Sequence, residues 1–96
     1  MVVGILQVEL VIGVASSLKD KRSVVRSVKD RLHREHMVSV AEVESQDDAQ
    51  VAVLGIALAA SSVPQAQSVL DRIVDKLQNH RECVLGEHRQ EILTGQ

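Results

Sequence analysis

The chain has 96 residues, 45% of them hydrophobic, and a formal net charge of −2, enough for one compact core and too little for two, so a single domain over residues 1–96 is expected. Phe, Tyr and Trp are all absent, which excludes the common single-strand binding mode in which bases stack on aromatic rings of a sheet. The lone cysteine, Cys83, excludes an internal disulfide and a cysteine-based metal site.

The opening segment MVVGILQVEL has no basic leader region, and Gln7 and Glu9 interrupt its apolar run. Neither a signal peptide nor a membrane span is expected there, and the protein reads as cytoplasmic. Leu6, Val8, Leu10 and Ile12 are apolar while Gln7 and Glu9 between them are polar, the period of a strand with one buried face, over residues 2–12. A short connection, residues 13–17, leads to Ser17-Leu18-Lys19-Asp20, the pattern of a capped helix start. The helix should begin at Leu18 and end near residues 34–36. Leu18, Val24, Val25, Val28 and Leu32 fall on one arc and form its core-facing stripe.

Residues 37–43 contain β-branched Val38, Val40 and Val43 and follow a helix, which suggests a second strand. Ser45-Gln46-Asp47-Asp48 is turn composition. VAVLGIALAA, residues 51–60, is apolar on both parities, as in a central strand. Its larger residues Leu54, Ile56 and Leu58 share one face and Val53, Gly55, Ala57 and Ala59 the other. Ser61-Ser62-Val63-Pro64 caps a second helix. Its stripe is Ala66, Val69, Leu70, Ile73, Val74 and Leu77. Weakly patterned residues 83–93 should supply an edge strand. The order β-α-β-β-α-β points to a ferredoxin-like α+β sandwich, a four-stranded antiparallel sheet with both helices on one face. The other face is then open, with Val3, Ile5, Val53 and Ala57 pointing to a partner, most simply a second copy of the chain.

Charge is unevenly distributed. Residues 19–36 carry seven Lys and Arg against three acids, a net of +4, so the remaining residues hold −6. Lys29, Arg22, His33, Arg26 and Lys19 fall in succession within about 80° of helical arc, a cationic ridge beside the apolar stripe. The plain alternative is a solvated helix face, since Lys and Arg are good helix formers. Lys19, Lys21 and Arg22 nevertheless sit in the first turns, where the helix dipole disfavours each cation by roughly 0.3–1 kcal/mol. Lys21 lies inside the apolar arc, so its ammonium is expected to reach out past the helix end. Ser17, Lys19, Lys21, Arg22, Arg26 and Lys29 together would suit a phosphate or an RNA backbone.

Other constellations carry less. Gly13 and Lys19 have the spacing of a P-loop glycine and lysine, but Leu18 and Asp20 stand where that loop needs glycine and a metal-binding hydroxyl. His33 and His36 are three apart with no third ligand adjoining them, and they suit a helix C-terminus better than a metal. Glu42, Glu44, Asp47 and Asp48 read as turn and solvent-facing acids rather than a magnesium cluster. No Ser-His-Asp or Cys-His arrangement is legible, so neither enzymatic activity nor a cofactor is expected.

Ser17-Leu18-Lys19-Asp20-Lys21-Arg22, then Val38-Ser39-Val40-Ala41-Glu42-Val43, then Gln46-Asp47 resemble the SLKxKR, VSVAEV and QD motifs of the YlxP-like bacterial family, whose function is unknown. The resemblance implies a ferredoxin-like fold of about this length. It also implies genes near those for translation initiation and ribosome-binding factors, a link that is associational. It marks Lys19, Lys21 and Arg22 as the basic motif, and Glu42, Gln46 and Asp47 as motif residues of unassigned role. Two departures accompany it: Glu35-His36-Met37 where the family shows an aromatic, and Asp48-Ala49-Gln50-Val51 where it tends to Leu-Trp-Gln-Arg. The leading expectation is a non-enzymatic homodimer that touches ribosomal RNA or a ribosomal subunit through the first helix, with no membrane or DNA partner. The alternative is a dimeric interaction or ligand-sensing module that works through the open sheet face.

Overall fold

The computed structural model describes residues 1–13 and 17–95. Most of the connection expected over residues 13–17 therefore lies outside the described residues, Ser16 included. Six elements follow in the order β1 (Val2–Val11), α1 (Leu18–Glu35), β2 (Ser39–Glu44), β3 (Val51–Ala60), α2 (Val63–Gln78) and β4 (Val84–Thr94). The sheet order is β2-β3-β1-β4, and every neighbouring pair is antiparallel. Both helices cover the same face, which makes the ferredoxin-like sandwich that the element order implied.

Alternation in β1 positions the core. Leu6, Val8, Leu10 and Ile12 are fully buried, and so are their cross-strand neighbours Ala52, Leu54 and Ile56 on β3. From above, Val24, Val25, Val28 and Leu32 of α1 and Ala66, Leu70, Ile73, Val74 and Leu77 of α2 close this layer. A core built from aliphatic side chains suits a flat sheet against two helices, because each fully buried Leu or Ile contributes about 1.5–3 kcal/mol without a ring to accommodate.

Helix boundaries follow the capping chemistry. Ser17 is extended, and its Oγ accepts a hydrogen bond from the Asp20 amide at 3.2 Å. Ser62 does the same for the Gln65 amide at 3.3 Å, while Gln65 Oε1 accepts from the Ser61 amide and hydroxyl. The last turn of α1 ends when His36 turns extended, its amide still donating to the Leu32 carbonyl.

Strand limits differ from expectation by one or two residues, β1 ending at Val11, β2 running Ser39–Glu44 and β4 Val84–Thr94. Pairing of β2 with β3 begins at Ser39 opposite Ala57, so Met37 has no ladder partner and stands 98% exposed. Cys83 precedes β4 and is buried against the core, which pushes its thiol pKa up, with Glu82 adding to the shift. As expected, β4 is an edge strand. The other edge, β2, is short and is broken by a register shift between Glu42 and Glu44, features that blunt edge-to-edge pairing. Neither helix is long and apolar enough to cross a membrane.

Candidate phosphate-binding groove and the buried lysine beside it

Residues at spacings of three and four share one side of a helix, and α1 uses this to gather Arg22, Arg26, Lys29 and His33. They line a groove of about 410 Å³ between α1 and edge strand β2, with Val25, Asp30 and Glu42 as its remaining walls. The ion pairs among the described residues are Lys21–Glu42, Arg31–Glu35 and Lys76–Glu35. None involves Lys19, Arg22, Arg26 or Lys29. Arg22 and Arg26 are exposed and Lys29 is half-buried. Lys19 is exposed at the N-terminal end of the ridge, beyond the groove. Exposed Ser17 directs its hydroxyl oxygen to the helix cap.

Lys21 overturns the expectation placed on it. Its side chain has no solvent exposure, and its ammonium turns inward instead of reaching past the helix end. Nζ donates to the carbonyls of Ser45 at 2.7 Å, Val51 at 3.0 Å and Gln46 at 3.4 Å, and lies 2.8 Å from Glu42 Oε2. An ammonium has three hydrogens, and here the three carbonyls take the hydrogen-bonding geometry. The buried Glu42 Oε2 accepts no hydrogen bond of its own and is held by charge. Lys21 therefore cannot meet an external anion.

The same cluster organises the turn between β2 and β3. Ser45 has a positive φ of 60°, a conformation that costs a non-glycine residue energy unless its surroundings hold it. Lys21 holds its carbonyl, and the Asp48 amide donates to that same carbonyl at 3.0 Å. Asp48 Oδ1 then accepts the amides of Gln50 and Val51, while Gln46 Nε2 donates to the Glu42 carbonyl. Both aspartates are exposed, and it is Asp48 whose carboxylate takes the turn's amides. Lys21, Glu42 and Gln46, one from each of the three motifs, thus meet at one buried ion pair. The Ser45 and Val51 carbonyls belong to this cluster and carried no sequence signal, because any residue type supplies a carbonyl.

On the open sheet face Val3 and Ile5 are half-buried and Ala57 is exposed. Val53 is only 7% exposed and is thereby removed from the set of accessible partner residues. It helps to line a cavity of about 270 Å³ whose rim includes Gln7, Glu9, Glu44, Glu87 and Arg89.

His33 and His36 diverge. His33 lines the groove, whereas His36 reaches α2, its Nε2 2.6 Å from Lys76 Nζ. Burial, and then the Lys76 charge, lower the His36 pKa below its ordinary value of 6.5. Glu35 sits between Arg31 at 2.8 Å and Lys76 at 3.2 Å, and hydrogen bonds from both lower its pKa. Among the described residues no three His, Cys, Asp or Glu side chains converge as metal ligands would.

A ferredoxin-like sandwich with a basic groove beside one helix, and a lysine buried under that helix, is the class these features define. A de novo designed ferredoxin-fold protein, known from solution NMR, is similar at a TM-score of 0.54 and 18% identity, over 99% of this chain and 88% of the designed one. That likeness shows the fold alone. The family described as "Protein of unknown function (DUF503)" matches residues 3–90. The uncharacterized protein YlxP of Bacillus subtilis (strain 168) is 35% identical over 72 residues, 75% of this chain and 78% of that protein. The chain belongs to this DUF503, YlxP-like family.

Two outcomes follow from these contacts. Replacing Lys21 with Met should lower the unfolding free energy by about 3–5 kcal/mol in urea titrations, since it strands a buried carboxylate oxygen and three carbonyls. The double variant Lys21→Met/Glu42→Leu should not recover wild-type stability, because the carbonyls still lack a donor. For His36 the folded pKa is depressed. Its contribution is complete above the unfolded value of about 6.5 and declines as pH falls from there toward the folded value, where the unfolded chain binds the extra proton. Thermal unfolding followed from about pH 8 to pH 5 should show that decline, and His36→Gln should flatten it. Glu35 acts only in a more acidic window, below its ordinary 4.5.

Proposed function

We propose that this protein is a non-enzymatic, RNA-associated protein that grips phosphate with the α1 groove. The observation that carries the reading is the set of Arg22, Arg26 and Lys29, gathered on one wall with no carboxylate partner within ion-pair distance among the described residues. Unpaired cations in a concave surface concentrate positive potential and attract a polyanion. Binding to a nucleic-acid backbone then gains from the counterions that the polyanion releases. Arginine suits this task because its planar fork meets two phosphate oxygens at once.

The chain has no aromatic residue, so contact rests on backbone and shape rather than on stacked bases. Double-helical segments of a folded RNA, such as those of a ribosomal subunit, are the substrate class that fits. A cytoplasmic location accords with that substrate. Lys19 extends the ridge and Ser17 ends it. Lys21 acts only indirectly, by fixing the helix that carries the other cations.

The test is fluorescence anisotropy with a structured ribosomal RNA fragment over a salt series. Neutralising about four phosphates predicts a log–log salt slope near −3 to −4. Reversing Lys19, Arg22 and Arg26 to Glu should weaken binding by more than about tenfold and flatten that slope. Binding that is absent, or that the reversal leaves unchanged, overturns the reading.

A further inference from the structure

The open sheet face combines apolar surface with an acidic rim. Register fixes which residues lie on it: Val3 stands between Ala59 and Leu93, Ile5 between Ala57 and Glu91, and Gln7 between Gly55 and Arg89. Two close approaches fit the same side. A Cβ on Gly55 would meet Val43 Cγ1 at 2.9 Å, so Val43 folds over that glycine. A Cβ on Gly86 would meet Glu9 Oε1 at 2.7 Å, so the Glu9 carboxylate lies over Gly86. The result is an apolar strip that includes Val43 and Leu93, 45% and 44% exposed, running into a cavity rimmed by Glu9, Glu44 and Glu87.

Charge decides what can cover this face. Glu9, Glu44, Glu87 and Glu91 face a single cation, Arg89, and none of these five forms an ion pair within 4 Å among the described residues. A second copy laid face to face would set eight carboxylates against two arginines, and like charges buried across an interface weaken it steeply. A segment with basic and apolar side chains meets both requirements, its aliphatic groups on the strip and its Lys or Arg at the rim. We infer that the open sheet face docks a basic, partly apolar protein segment, on the side of the sheet opposite the helices.

The inference is independent of the α1 groove, because the face lies under the sheet and the ridge belongs to the helix layer. It is tested with a labelled peptide of alternating lysine and leucine, titrated against the whole protein by anisotropy. An alternating glutamate and leucine peptide serves as the opposite-charge control. Glu44→Gln/Glu87→Gln should weaken lysine–leucine binding by about tenfold, and the charge-matched pair Asp75→Gln/Glu82→Gln, placed on α2 and before β4, should leave it unchanged. The α1 reversal used against RNA should also leave it unchanged, which separates the two sites. Equal loss in both double variants would mean attraction to net charge alone and overturns the inference. A sheet-face homodimer, seen by sedimentation and insensitive to the peptide, overturns it equally.

Discussion

One ammonium group joins most of this fold. Lys21 enters the protein from the first turn of α1, where the dipole disfavours it, and is sealed from water. An unpaired charge there would cost several kcal/mol. It is met instead by a carboxylate from β2, two carbonyls from the turn after β2, and one from the first residue of β3. Helix, edge strand, turn and central strand are thereby fixed to one point. That point makes up for what β2 lacks, since β2 is only six residues long and bulged.

The groove inherits its geometry from this point. Glu42 faces Lys21 on one side and lines the groove on the other, so the buried pair sets how far α1 stands from β2. Arg22, next in sequence to Lys21, is exposed and lines the groove. Two adjacent cations thus have divided duties: one consumed by structure, the other available to a ligand. Among the described residues α1 carries an excess of cations, while on the open sheet face Glu9, Glu44, Glu87 and Glu91 outnumber Arg89.

Much of the fold was legible because strand and helix periods differ. Leu6, Val8, Leu10 and Ile12 alternate, and the stripe from Val24 to Leu32 repeats at helical spacing, so both buried layers follow from the sequence. The ridge was legible for the same reason. Lys21 was the position where the pattern itself held a warning, a cation inside the apolar arc. Escape past the helix end and burial with partners are both physically sound for such a lysine, and only the position of the β2–β3 turn decides between them. The turn's carbonyls are invisible to sequence, and so is the closeness of Glu42, which depends on the register of an edge strand. Val53 reads as an open-face residue by parity, which is correct. In register it stands between Glu9 of β1 and Glu44 of β2, and all three line one cavity, an arrangement set by strands distant in the chain.

Lys21 acts as a structural cation rather than a binding one. A proton–nitrogen correlation spectrum tuned to lysine ammonium groups reads this directly, because ammonium protons held by carbonyls exchange slowly and those in water do not. At neutral pH Lys21 is expected to give a persistent ammonium signal with cross-peaks to protons of Ser45 and Val51, while Lys19 gives none. A Lys21 ammonium that exchanges as fast as that of Lys19, or that shifts on addition of RNA in a manner Lys19 shares, would contradict it.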